Sequence, residues 1–224
     1  MISERQIVAA GELHDRLKGW KDADLALSRL SAAFRDNADR QSVLVKASAL
    51  NGLYATSVKR IYQASDHIVA KMLEIKNREW SPADRVETVH ELARVPKATC
   101  RNGYELLTSF ASKYAYFFIN PMDVGIQAEF PIYDSYAANA LLHLTGRRGD
   151  LGQHSHPYAD FCGMIDEVAP IEFSSRQIDR YLWLKGQHLA FRNGRGDRLS
   201  PDVRGLFQSE DSSAVRLVRE LASE

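Results

Sequence analysis

Cysteine is scarce in this chain: Cys100 and Cys162 are its two thiols, far apart in sequence. Two cysteines cannot by themselves complete a zinc set or an iron–sulfur cluster. Without a secretory leader they suit a reducing, cytoplasmic setting rather than a disulfide framework. The first residues, Met1 to Gln6, hold no apolar signal run, and no stretch is long and apolar enough to cross a membrane. An excess of one charge sign is missing too, since 29 Lys and Arg balance 29 Asp and Glu. That excludes a protein coated in positive charge but leaves room for a local basic groove. Internal repeats and low-complexity segments are absent, and the period-2 alternation of strands is rare.

Helical periodicity is what remains. It predicts an all-α fold of about nine or ten helices. Helices are expected over residues 3–17, 22–34, 43–54, 58–76, 158–168 and 211–221, with others after Ser81-Pro82 and Ser174. Thr56 or Ser57 is placed to cap the helix over 58–76. A short helix is expected at 104–107, after the loop Lys97–Gly103. The helix over 43–54 is largely apolar but carries Lys46, Asn51 and Tyr54, and polar groups in such a helix need partners. His154 and His156 form a His-x-His pair that can bind metal, with Asp160 near as a third ligand, but the spacing is unspecific and no further Cys or His is close in sequence, so no metal site is expected.

The most informative stretch runs from Thr108 to His143. It reads as two helices joined by a Pro-marked loop. Lys113 lies near the start of the first, inside an aromatic and aliphatic run. Asp134 opens the second, after Phe130-Pro-Ile-Tyr133. Apolar surroundings make a lysine costly to keep charged and favour its use as a nucleophile. Free N–H groups at a helix N-terminus favour an ionised carboxylate. An amine and a fixed carboxylate are what a sugar C1′ needs if a base is to leave and an imine is to form. Each residue also has a plainer use: Asp134 as an N-cap, and Lys113 as a lysine snorkelling from an amphipathic helix.

Phe110-Ala-Ser-Lys113, followed by Pro131-Ile-Tyr-Asp134, resembles the helix-hairpin-helix DNA glycosylases, especially their 8-oxoguanine glycosylase branch. In that branch a lysine opens the helix after the hairpin and an aspartate heads the next, at a similar spacing. The branch with a four-cysteine cluster fits poorly. The family hairpin carries glycines that let backbone N–H groups approach a phosphate. Here Leu107 to Ser112 has none, the nearest being Gly103, and Met122 to Ala128 lengthens the inter-helix loop.

The resemblance implies a two-lobed helical fold in one compact unit, residues 1–224. Residues 41–145 would form a central lobe, with 1–40 and 146–224 packing into a second. It also implies base removal from DNA with Lys113 as nucleophile and Asp134 as its carboxylate, by a monomer needing no cofactor. Tyr104, Tyr114, Phe117, Asn51 and Trp183 are the candidate contacts to the extruded base, with core packing the alternative for Trp183. Lys97, Arg101, Arg147, Arg148 and Arg195 are the candidate DNA-backbone contacts. A helical module that binds DNA or protein without chemistry remains the alternative, as does imine chemistry on a small molecule.

Overall fold

The computed structural model of the chain describes residues 1–77, 83–120, 124, 129–170 and 172–223. Ser81 and Pro82, expected to start a helix, lie outside these residues, as does the loop 122–128 apart from Val124. The described residues hold eleven α-helices and two short strands. In order they are α1 (Glu4–Asp15), α2 (Lys18–Ala33), α3 (Arg40–Leu53), α4 (Ile61–Lys76), α5 (Arg85–Ala93), β1 (Arg94–Pro96), β2 (Tyr104–Leu106), α6 (Thr108–Phe118), α7 (Ser135–Leu144), α8 (Pro157–Val168), α9 (Ser175–Arg192), α10 (Pro201–Phe207) and α11 (Ser212–Ala222). The chain is mostly helical, as its periodicity implies. No described helix is long and apolar enough to cross a membrane.

Most helix starts follow from side-chain caps. Ser3 and Gln6 form a capping box on α1, and Ser174 and Gln177 form another on α9. Asp39, Asp84, Asp134 and Asp211 accept backbone N–H bonds at the starts of α3, α5, α7 and α11. α10 has no counterpart in the sequence expectation, although Ser200 caps it and Pro201 stands in its first turn.

Two expectations are corrected. Residues 104–107 are not a helix: Tyr104–Leu106 is β2, paired antiparallel with β1 in the register Arg94↔Leu106, Val95↔Glu105, Pro96↔Tyr104. Four residues give a helix one turn at most. The strand instead buries Val95, sets the Arg94 guanidinium 5.3 Å from the Tyr104 ring centre, and closes its turn with Lys97 N–H donating to Gly103 O at 2.7 Å. Thr56 and Ser57 do not cap α4, which begins at Ile61 with no side-chain cap. Ala55 and Ser57 have φ of 46° and 58°, outside helical geometry.

The chain divides into two compact units, residues 1–21 with 133–224, and residues 22–132. In the second, α3 packs on α4 and α6, and α5 packs on α6. Its core includes Val43, Leu50, Ile68, Leu92, Phe110 and Tyr114. Lys46 is fully buried there; its amine donates to Asn37 Oδ1 and faces the Tyr114 and Phe118 rings. In the first unit, α9 packs on α1 and α7. Lys185 of α9 is buried, and its Nζ donates to the carbonyls of Leu221, Ala222 and Ser223 at 3.1, 3.1 and 3.2 Å. A cation thus closes the C-terminal end of α11.

Candidate functional site

α6 opens at Leu107 without a side-chain cap and buries most of its length. Lys113, in its second turn, is 5% exposed. Its Nζ donates to Ser109 Oγ, one turn back, at 2.7 Å. Lys113 belongs to the unit of residues 22–132, and Asp134 to the other. Asp134 is the N-cap of α7, and its carboxylate accepts from Ala137 N–H at 2.8 Å. Beside it, burial pushes the Tyr133 phenol up to about 12, with Asp150 and Asp134 adding to the rise.

The candidate base contacts fall into different settings. Tyr114 is fully buried, and its hydroxyl donates to Asn37 Oδ1 at 2.9 Å. Phe110 and Phe118 pack around its ring, so the expectation that Tyr114 stacks on a base is corrected: it is a core residue. Asn51 is half-buried and has hydrogen-bond partners of its own. Its amide donates to Val58 O at 3.1 Å and accepts from Val58 N–H at 2.9 Å and Thr56 Oγ1 at 2.8 Å, so it clamps the loop before α4. Trp183 packs edge-on against Trp20 with centroids 4.6 Å apart. Phe117 lies near the rings of Tyr54 and Tyr116, and Tyr104 is half-buried on β2.

The candidate backbone cations also separate. Lys97 pairs with Glu105 at 3.3 Å, and Arg60 and Lys97 together hold that carboxyl below its usual range. Arg147 pairs with Glu167 at 2.8 Å on the surface. Arg101 and Arg148 are exposed. Arg195 is different, because it lines a pocket.

That pocket, of about 420 Å³, lies between α7 and the C-terminal part of α9. Its wall includes Tyr136, Asn139 and His143 of α7, and Asn193, Arg195 and Arg198 from the end of α9 and the turn beyond. Gly186 sets how closely the helices approach: a Cβ there would stand 2.0 Å from Tyr136 O, so only glycine fits. α9 ends in a Schellman motif. Gly194 takes φ 74°, its N–H donates to Phe191 O at 3.1 Å, and Arg195 N–H donates to Ala190 O at 2.9 Å. A 3-10 turn at Gly196–Arg198 then brings a second guanidinium to the wall. No carboxylate partner is recorded for Arg195 or Arg198 among the described residues. Burial and Asp134 raise the Tyr136 phenol above its ordinary pKa while Arg198 opposes them, so the phenol stays a donor. Both arginines belong to the glycine-rich, basic run Arg192 to Arg198, which the sequence marks as a backbone-contact candidate through Arg195.

His154 Nδ1 lies 2.7 Å from Asp160 Oδ2. No group of three metal-ligating side chains occurs among the described residues.

A family model described as the HI_0787_N N-terminal domain matches residues 5–123, a span that contains Lys113 and ends before Asp134 and the pocket. A protein of Haemophilus influenzae named "Uncharacterized protein" is similar to this chain, 28% identical over 156 residues, covering 66% of this chain and 68% of that one. No solved structure matches the chain significantly.

Proposed function

The chain belongs to the HI_0787_N N-terminal-domain family, and within it we propose that this member is a DNA glycosylase that removes a modified base and forms a lysine Schiff base with the sugar. The observation that supports the reading is Lys113, a lysine buried on an apolar helix with a serine hydroxyl as its neighbour. The target nucleotide leaves the stack, because C1′ is otherwise out of reach. The C1′–N bond breaks and the base departs with the bonding electrons. The Asp134 carboxylate stabilises the positive charge that develops on the sugar. The Lys113 amine attacks C1′, one of its protons passes to O4′, and the C1′–O4′ bond breaks to open the sugar ring and leave a protonated imine. Loss of a C2′ proton then expels the 3′ phosphate, cutting the strand by β-elimination. An amine and a carboxylate suffice for these steps, so the reading calls for no metal or cofactor. It makes the protein a cytoplasmic monomer acting on DNA, with Phe117 and Tyr104 as its aromatic contacts and Arg101, Arg148 and Arg195 on the backbone.

Borohydride trapping tests this. Wild type and Lys113→Gln are incubated with oligonucleotides bearing oxidised, alkylated or hypermodified bases and an abasic control. The expected result is a covalent adduct with wild type only, mapped to Lys113. No adduct on any substrate, the abasic site included, removes the lyase chemistry.

A second reading is a non-catalytic module that binds DNA or protein. The glycine-free segment 107–112 favours it, because it runs straight from β2 into α6 and offers no glycine for a backbone approach to phosphate. Lys113→Gln would then leave partner affinity intact.

A further inference from the structure

The pocket between α7 and α9 has a chemistry that the lysine reaction does not use. Among the described residues no Asp or Glu lines its wall, while two guanidiniums and an imidazole do; Asp134, the cap of α7, lies just beside it. Guanidiniums are donors only, and their fork matches the oxygens of a phosphate. Elsewhere in the chain Arg16, Arg40, Arg60 and Arg147 each meet a carboxylate within 3.0 Å. Arg195 and Arg198, exposed and three residues apart in sequence, share this wall and meet no carboxylate among the described residues, so an anion seated there would offset their mutual repulsion. The volume, about 420 Å³, exceeds what a bare phosphate fills and falls in the range of small-ligand sites. The rest of the wall supplies a phenol ring and the amides of Asn139 and Asn193, suited to the face and edge of a nucleobase. The pocket also closes at one side, where the backbones of α7 and α9 meet at Gly186 and Tyr136. A continuing strand cannot pass between those helices, but a chain end can seat there.

We propose that this pocket binds the terminal phosphate of a nucleotide, free or at the 5′ end of a nucleic-acid strand, with Arg195 and Arg198 holding the phosphate. The site shares Arg195 with the glycosylase reading and begins one residue after Asp134, but it does not require the lysine chemistry.

The test is calorimetric titration of the full chain with four probes: a nucleoside 5′-monophosphate, the same nucleoside, and one single-stranded oligonucleotide with a 5′-phosphate or a 5′-hydroxyl. The phosphorylated member of each pair is expected to bind more tightly. Arg195→Ala and Arg198→Ala each weaken that binding by about tenfold or more, the scale of a lost charge-assisted contact. Arg40→Ala, off the pocket wall and already paired with Asp66, leaves it unchanged. A tighter strand than mononucleotide identifies the source as a strand end, and the reverse identifies a free nucleotide. Equal affinity with and without the phosphate overturns the proposal. So does undiminished binding by a folded Arg195→Ala, Arg198→Ala double variant, and so does no binding of any probe. Phosphate-dependent binding without a borohydride adduct would keep this site and remove the lyase reading.

Discussion

α7 and α9 end in the same way and meet different fates. Each closes with a Schellman motif, in which Gly146 or Gly194 takes φ 65° or 74°. Each sets an arginine immediately after it: Arg147 N–H donates to Leu142 O, and Arg195 N–H donates to Ala190 O, both at 2.9 Å. The backbone reason for glycine is identical at the two ends. Past that point the chain diverges. Arg147 finds Glu167 on α8 at 2.8 Å, and Arg195 faces a pocket with a second arginine. The histidines diverge as well, His143 being exposed and His188 buried against Phe207. The motif that stops a helix therefore says nothing about the use of the residue it presents; the charges that neighbouring elements bring decide that.

The largest expected effect comes from breaking the platform the two ends share. Gly186→Ala forces α7 and α9 apart and should destabilise the protein by about 3 kcal/mol or more, the upper range for overpacking against a rigid backbone. Urea denaturation measures it, and a loss under 1 kcal/mol would show that the helices separate easily. A smaller effect separates the two histidines. Burial, with Lys185 and Arg192 nearby, lowers His188 from 6.5 to about 4. The unfolded chain therefore takes up a proton near pH 6.5 that the folded chain refuses until about 4, and stability falls as pH drops through that window. From pH 7.5 to 5 the loss should be about 2 kcal/mol. His188→Gln should remove that slope, while His143→Gln should not. The smallest effect tests the likeness itself: Gly146→Ala and Gly194→Ala should each cost about 1–2 kcal/mol, the penalty for a side chain at positive φ. Unequal costs would mean that the two ends are not the same device.

The caps were legible because they are local. Ser174 and Gln177 stand three residues apart, and Asp134 precedes an apolar run, so both helix starts could be read directly. Ser200-Pro201 carried the same signal for α10. β1 and β2 were not legible, since three-residue strands are too short to show alternation. Gly186 was not legible either, because a mid-helix glycine looks like a mere propensity cost until Tyr136 is seen against it. At the candidate site, Lys113 was visible as a lysine in an apolar run. The clamp made by Asn51 and the core position of Tyr114 depend on partners, Val58 and Asn37, whose positions only the fold supplies.

Hydrogen bonds between residues far apart in sequence also impose an order in time. Gln6 Nε2 donates to Ser223 O at 2.6 Å, and Ile2 N–H donates to Val168 O at 3.1 Å. α1 packs on α9 and on α11, both of which are made after it. Residues 22–132 are contiguous and can close while the rest is still being synthesised. α1 has to wait until α11 is made, and the Lys185 amine waits until residues 221–223 emerge. Until α9 and α11 have been made, a nascent chain thus keeps the apolar face of α1 without the two helices that cover it.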